Sequence, residues 1–438
     1  MSATDSIERF RTEFLELRSA RQSDEPGWLT MVRTQALERF LDKGFPTTRD
    51  EQWRFTNVAP IASGSFAVSS VSSRSARDAA SLKGRFHIEG QESHDLVFVN
   101  GHWSRELSSV GELPAGVVLS SLTGAVSEHA DEVQPILSQG GGDDTAFFDL
   151  NEAFLSDGAF VYVPKGVIVP RPIHLIFLSA APGKPIVVHP RNVIVGEAGS
   201  QVRVVETYGG VAGGVYWTNA VTQVSAGDNA VVDHYKLQRE SSSAFHVASL
   251  DYVQGRSASV SNHSLSLGAR IARHDIRAQL AGEGADVTLN GLYVVKGSQH
   301  VDHHTVIDHQ VAHCTSRELY KGVLDDASSG VFNGRVIVQP NAQKTDSQQS
   351  NKNLLLSDEA LVNTNPQLEI NADDVKCAHG ATIGQLDAEA LFYLRSRGIA
   401  HHEAQRILTE GFMADVSDRI RLAAVRETLR GLLFTEAA

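Results

Sequence analysis

Apolar residues in the first sixty positions fall at helical steps. Ile7, Phe10, Phe14 and Leu17 recur three and four apart, and Leu29, Val32, Ala36, Leu37 and Phe40 repeat the pattern within Gly27 to Lys43. This predicts an N-terminal helical region over residues 1–60. Gly44, followed by Phe45 and Pro46, should end the second helix. Ser63 to Ala80 is rich in Ser and Ala with little apolar periodicity, and Gly140, Gly141, Gly142, Asp143 and Asp144 form a second turn-rich stretch. Both predict loops or linkers inside a connecting mixed region, 61–154.

Between residues 155 and 385 the texture changes to short runs of Val, Ile, Leu and Tyr broken by Gly, Asp and Asn, which predicts strands. The turns recur. An apolar anchor precedes each one at Val195, Val224, Val253, Leu280, Val338 and Ile370, with a weaker member near His309, and successive spacings are 29, 29, 27, 29, 29 and 32. A strand–turn–strand unit of that period cannot bury its apolar face alone, so neighbouring units must stack as a β-solenoid. The period is too short for a propeller blade of roughly 40 residues. An antiparallel sandwich with evenly spaced loops is the alternative. Helix returns over 386–438. Ala388 to Arg397 lies between Asp387 as N-cap and Gly398, His401 to Phe412 follows, and Asp415 to Leu433 carries Val416, Ile420, Ala423 and Ala424 on one face. Helical ends would also cover exposed sheet edges.

Charge narrows the function. Thirty-nine basic against fifty-two acidic residues give a net charge of -13, a field that repels nucleic acid. Asp5, Glu8, Glu13 and Glu16 interrupt the N-terminus as no secretory signal would tolerate, and no apolar run reaches the length of a membrane span. The expectation is a cytoplasmic protein. Cys314 and Cys377 are too few for a disulfide framework or a four-thiolate site.

Two constellations could carry chemistry. His300, His303, His304, His309 and His313 stand within fourteen residues, with Asp302, Asp308 and Cys314 among them. Imidazole and carboxylate suit zinc or iron. Against that, His246, His274 and His303 are spaced 28 and 29 apart, and His234 and His263 by 29, so stacked rungs would line them up as structural columns about 4.8 Å apart. The ladder is the favoured expectation. The second constellation is Cys377 and His379 in K-C-A-H-G. Alternate residues of a strand share a face, so thiolate and imidazole could hold one soft metal together; a packed Cys beside a hydrogen-bonded His is the simpler alternative. The sequence lacks G-x-x-x-x-G-K-[ST], G-x-S-x-G and H-E-x-x-H, and His401, His402 and Glu403 have no second His at the needed spacing. No enzymatic activity is expected of the chain itself.

The block Asn351 to Ile399, with K-C-A-H-G-A-T-I-G-Q-L-D inside it, resembles the SufB/SufD family of iron-sulfur cluster assembly proteins, most closely its SufD branch. Phe45 to Asn57 (F-P-T-T-R-D-E-Q-W-R-F-T-N) and Asp308 to Leu324 (D-H-Q-V-A-H-C-T-S-R-E-L-Y-K-G-V-L) agree. The resemblance implies a right-handed parallel β-helix with helical ends. It implies a complex with a SufB-type paralogue and a SufC-type ABC ATPase, fed indirectly by a sulfur donor system. It places Cys377 and His379 at the paralogue interface or cluster-assembly site, and Leu391, Phe392, Arg395 and Arg397 where the ATPase docks. An iron-sulfur cluster would be held transiently in the complex, not stably by this chain, and reduced flavin could enter the complex, though no residue pattern here marks its site. A homodimer of the isolated chain is left open. A β-helix carbohydrate-active enzyme is the alternative function, and would need paired carboxylates along a groove.

Overall fold

The computed structural model describes residues 3–21, 25–69, 73–140, 146–180 and 185–434. Its N-terminal region comprises α1 (Ala3–Arg21), α2 (Gly27–Lys43), a 3-10 turn at Glu51–Trp53, α3 (Ala59–Ala62), β1 (Ala67–Val68) and α4 (Ser73–Phe86). α2 stops where the sequence places its end. Gly44 takes φ 69, a conformation open to a residue without Cβ, and its N–H donates to Phe40 O at 2.7 Å. The linker expected over Ser63 to Ala80 is instead part strand and part helix, because β1 pairs with Ile186 and Val187 and α4 begins at Ser73. Ala79, Leu82 and Phe86 pack α4 against the neighbouring sheet; of these only Ala79 lies within Ser63 to Ala80, so that stretch by itself shows no apolar period. Of the second turn-rich stretch, Gly140 lies outside helix and strand with φ 66, and 141–144 lie outside the described residues.

The connecting region continues with β2 (His94–Val99), β3 (His102–Trp103), β4 (Val118–Ser121), α5 (Leu122–Glu128), α6 (Ala130–Leu137) and α7 (Ala146–Phe154). The solenoid then runs through β5 (Ala159–Val163), β6 (Ile173–Ser179), β7 (Ile186–Val188), β8 (Arg191–Gly196), β9 (Gln201–Gly210), β10 (Tyr216–Ala226), β11 (Val231–Gln238), β12 (Phe245–Gln254), β13 (Ser259–Ser266) and β14 (Ile271–Leu280). It continues with β15 (Asp286–Val295), β16 (His300–His309), β17 (Thr315–Leu324), β18 (Ser329–Val338), β19 (Asp346–Leu355), β20 (Leu361–Ile370) and β21 (Lys376–Gly384). From β8 onward, successive strands alternate between two facing sheets, ordered β20-β18-β16-β14-β12-β10-β8-β5-β4 and β21-β19-β17-β15-β13-β11-β9-β6-β2-β3. Pairing is parallel from β6 to β21, and the antiparallel pairs β2–β3 and β4–β5 lie at the N-terminal end. The parallel solenoid therefore stands in place of the sandwich, and β2 and β4 from the connecting region extend it.

The predicted anchors close strands of the first sheet. Leu280, His309, Val338 and Ile370 are successive register partners, whereas Val195, Val224 and Val253 pair one residue out, with Ser225, Tyr252 and Gln279. Aliphatic and aromatic side chains fill the space between the sheets. Phe10, Phe14, Phe40 and Trp53 cover the outside of one sheet at Trp217, Phe245 and Val247.

The C-terminal region is α8 (Ala388–Ser396), α9 (His401–Ser417) and α10 (Ala423–Phe434). The single helix expected from Asp415 to Leu433 is broken, since Asp415 to Ser417 close α9 and residues 418–422 link it to α10. Ile420 and Leu422 in that link are buried with Met413, Val416, Val425 and Leu429 against Tyr235, Leu265 and Leu319 of the second sheet. A turn that still buries its apolar residues preserves the period across a break. Among the described residues no helix is long and apolar enough to cross a membrane.

Candidate functional site

The two sheets end at β20 and β21, so the C-terminal rung has one neighbour on one side and a free edge on the other. Cys377 and His379 lie on β21, in register with Ser347 and Gln349 of β19. Cys377 is half-buried and packs against the interior core, while His379 is exposed. Burial pushes the Cys377 thiol above its ordinary value, and Asp346 adds to the shift against a backbone hydrogen bond from Ser347. A thiol in that state needs a metal or a cationic neighbour to become a thiolate.

Two polar columns run inward from this pair. Beneath Cys377, Ser347 accepts from the Ser316 hydroxyl at 2.8 Å, and Ser316 meets His309 Nε2 at 2.9 Å. Beneath His379, Gln349 stands in register with Glu318 and donates to its carboxylate at 2.6 Å. Burial pushes Glu318 up to about 7. The open rung therefore sits over a hydroxyl chain ending in an imidazole and over a carboxyl that titrates near neutrality.

The five-histidine motif is dispersed by strand alternation, and no single metal site gathers it. His303 and His309 point inward on β16, six residues or about 20 Å apart. His300 and His304 point outward under the N-terminal region, where His300 Nε2 meets Thr56 Oγ1 at 2.9 Å and His304 Nδ1 meets Gln52 Oε1 at 3.1 Å. Asp302 receives Arg273 Nη1 at 2.8 Å and His304 Nε2 at 3.1 Å. Burial alone would raise its carboxyl, but the His304 and Arg273 charges outweigh burial and hold it far below the carboxylate range. His313 is an exposed turn residue with φ 63, and Cys314 is buried, donating to Gly282 O at 3.4 Å.

The expected column of His246, His274 and His303 exists, with ring centroids 5.1 and 4.9 Å apart. Only His274 and His303 are register partners; His246 stands opposite Ala272, two residues out, because Phe245 pairs with Ile271 in a rung of 26 residues. The column of His234 and His263 does not form. Tyr235, not His234, pairs with His263, and the one-residue slip sends His234 inward to Glu206 at 3.2 Å and His263 outward to stack on Tyr235 at 5.0 Å.

The column leads to a buried charge that the sequence pattern did not single out. Lys236 Nζ lies 2.8 Å from His246 Nε2 and 2.9 Å from His274 Nδ1. Burial lowers this ammonium to about 7, opposed by Glu206 and Glu240. An alternating strand carrying one Lys looks like any edge or surface strand, so only stacking shows that its charged face points inward.

At the C-terminal end, none of the residues of α8 is buried. Leu391 is partly covered, Phe392 is 74 % exposed and Tyr393 56 %. Arg395 and Arg397 are exposed, the latter with its guanidinium 5.2 Å from the Tyr393 ring centroid. Asp387 caps the helix through Glu389 N at 2.8 Å, so the apolar pair is presented on a fixed element.

Residues 4–175 match the SufBD protein N-terminal region, and 177–412 match the SUF system FeS cluster assembly, SufBD core domain. An iron-sulfur cluster assembly SufBD family protein of Synechocystis sp. is 34 % identical over 88 % of this chain and 86 % of its own length. The iron-sulfur cluster assembly protein SufD of Escherichia coli is 31 % identical over 88 % of both, and SufD of Bacillus subtilis 30 % over 92 % of this chain and 93 % of its own. With both regions matched and these relatives aligned along nearly the whole chain, the protein belongs to the SufBD family of iron-sulfur cluster assembly proteins.

Proposed function

We infer that this chain is a non-enzymatic scaffold subunit of a cytoplasmic cluster-assembly complex. Its open rung meets a SufB-type paralogue, and α8 meets a SufC-type ATPase. One observation carries the reading: Leu361, Ile370 and Ile383 on the last rung, with Phe392 and Tyr393 on α8, are large apolar side chains left exposed beside the free strand edges. Apolar surface next to unpaired backbone invites another chain to complete the sheet.

In this reading the growing cluster is cargo. Cys377 and His379 supply two donors, which leave a tetrahedral iron half-satisfied, so the paralogue completes the shell. Co-expression of tagged chain with both partner types tests the proposal. Recovery of both partners, with loss of the paralogue on Leu361→Asp and of the ATPase on Phe392→Asp, supports it. Recovery of neither by the folded wild-type chain overturns it.

A further inference from the structure

A second group of metal-binding side chains lies at the opposite end of the solenoid, about 38 Å from Cys377 by strand spacing along the sheet. His87, Asp95 and His174 each bring a ligand atom within 4.8 Å of the others. His87 follows the last turn of α4, with its N–H donating to Lys83 O at 2.8 Å, so it sits at the negative end of a helix dipole. Asp95 and His174 are register partners on β2 and β6, which puts both side chains on one face. His87 Nε2 is 3.2 Å from Asp95 Oδ2, and the two imidazole centroids are 5.8 Å apart.

One buried polar atom of the group is left without a partner among the described residues. His174 is 1 % exposed; its Nε2 meets Thr207 Oγ1 at 2.8 Å, and its Nδ1 finds no hydrogen-bond partner among the described residues. With Nε2–H donating to Thr207, the lone pair of Nδ1 is left for a ligand, the arrangement by which a metal-bound imidazole is usually oriented. Asp95 is positioned likewise, accepting from the Ser93 hydroxyl at 2.6 Å. Lys83 Nζ stands 3.3 Å from Asp95 Oδ2 and also donates to Leu107 O at 2.8 Å. Its flexible stem lets the ammonium withdraw toward that carbonyl when a divalent ion takes its place. His87 is one-third exposed, which gives the group an entry path.

The geometry points to a divalent transition-metal site made by His87, Asp95 and His174, distinct from Cys377 and His379 and independent of the role inferred for them. Two imidazoles and a carboxylate suit Fe(II), Zn(II) or Co(II) and leave positions open for water. The bound ion ties the end of α4 to the first rungs.

The test is titration of the full chain with Co(II) under reducing, anaerobic conditions, followed by visible absorption, with circular dichroism confirming each variant's fold. One Co(II) is expected per chain at this site, with ligand-field bands and no thiolate charge-transfer band. It persists in Cys377→Ser, weakens by more than about tenfold in His87→Gln and Asp95→Asn, and tightens in Lys83→Met. Absence of Co(II) binding, undiminished binding by folded His87→Gln, or loss of this ion in Cys377→Ser overturns the assignment. Should Asp95→Asn fail to fold, His87→Gln and Lys83→Met decide, because a purely structural ion-pair network gains no metal affinity when Lys83 is removed.

Discussion

Tyr320 on β17 stands in register beside Gly291 on β15, and Tyr293 on β15 beside Gly322 on β17. Each ring lies over the neighbouring strand at the one residue without a side chain. A Cβ added to Gly291 would sit 2.0 Å from Tyr320 Cε1, and one on Gly322 2.1 Å from Tyr293 Cε2. Both rings are fully buried among close-packed neighbours and have nowhere to move. Gly291→Ala and Gly322→Ala should each cost about 1–3 kcal/mol, read as a lower urea midpoint. Gly384→Ala on the open rung, with nothing within 4 Å of the added carbon, should be near neutral. Equal effects at all three would refute the ring-over-glycine explanation.

The buried imidazoles and Lys236 predict a pH dependence. Burial lowers His174, His189 and His303 to about 3 and His263 and His309 to about 4, from 6.5. The unfolded chain therefore takes up protons first, so their contribution is fully present above about pH 6.5 and is lost as pH falls toward 4. Lys236 adds a second window, because it is lowered from 10.5 to about 7. Its contribution is present above pH 10.5 and is lost as pH falls to about 7. Urea midpoints measured across pH should rise from 4 to 6.5 and carry a further rising component from 7 to 10. Lys236→Met should remove the upper component, whatever it does to absolute stability. An unchanged upper slope would place the titration elsewhere.

At the C-terminus, α8 can be separated from the rest by point substitution. Phe392 is largely exposed and should tolerate Asp with a stability change within about 0.5 kcal/mol, while association with the ATPase is lost. Met413→Asp puts a charge into the apolar layer over the second sheet and should unfold that layer. Truncation would mix the two effects. Thermal melts beside pull-downs keep them apart, and normal ATPase capture by Phe392→Asp would move the contact off α8.

The rungs were legible because turns recur in the chain. The anchors from Leu280 to Ile370 are true register partners, and the caps Gly44 and Asp387 act as their residue types require. Faces were less legible. Counting from His234 to His263 gave the average period, but the local step from Tyr235 is 28, and a slip of one reverses a side chain. α4 was hidden because two of its three packing residues, Leu82 and Phe86, lie beyond the stretch Ser63 to Ala80, and His87, Asp95 and His174 because β2 and β6 bring together residues far apart in the chain. Cys377 and His379 could be found from their motif, but not Glu318, Gln349, Ser316 and Ser347 beneath them, which only register aligns.

That alignment makes the last prediction specific. Cys377 is held as a thiol by burial, so its conversion to a thiolate ligand must release a proton at the open rung. Ser347 and Ser316 lead from that position to His309, and Gln349 leads from His379 to Glu318, which burial raises to about 7. In the assembled complex, Cys377→Ala and His379→Ala should lower cluster yield without lowering recovery of the partners, since Cys377 only edges the core and His379 is exposed. Glu318→Gln should keep the hydrogen-bonded shape while removing a group that titrates near pH 7. Its yield should be close to wild type at pH 6, where the native carboxyl is already protonated and cannot take up the released proton, and fall below it at pH 8, where the native carboxylate can accept one. Loss of the complex in Cys377→Ala would assign that residue to packing, and a wild-type pH profile in Glu318→Gln would separate the interior carboxyl from cluster assembly.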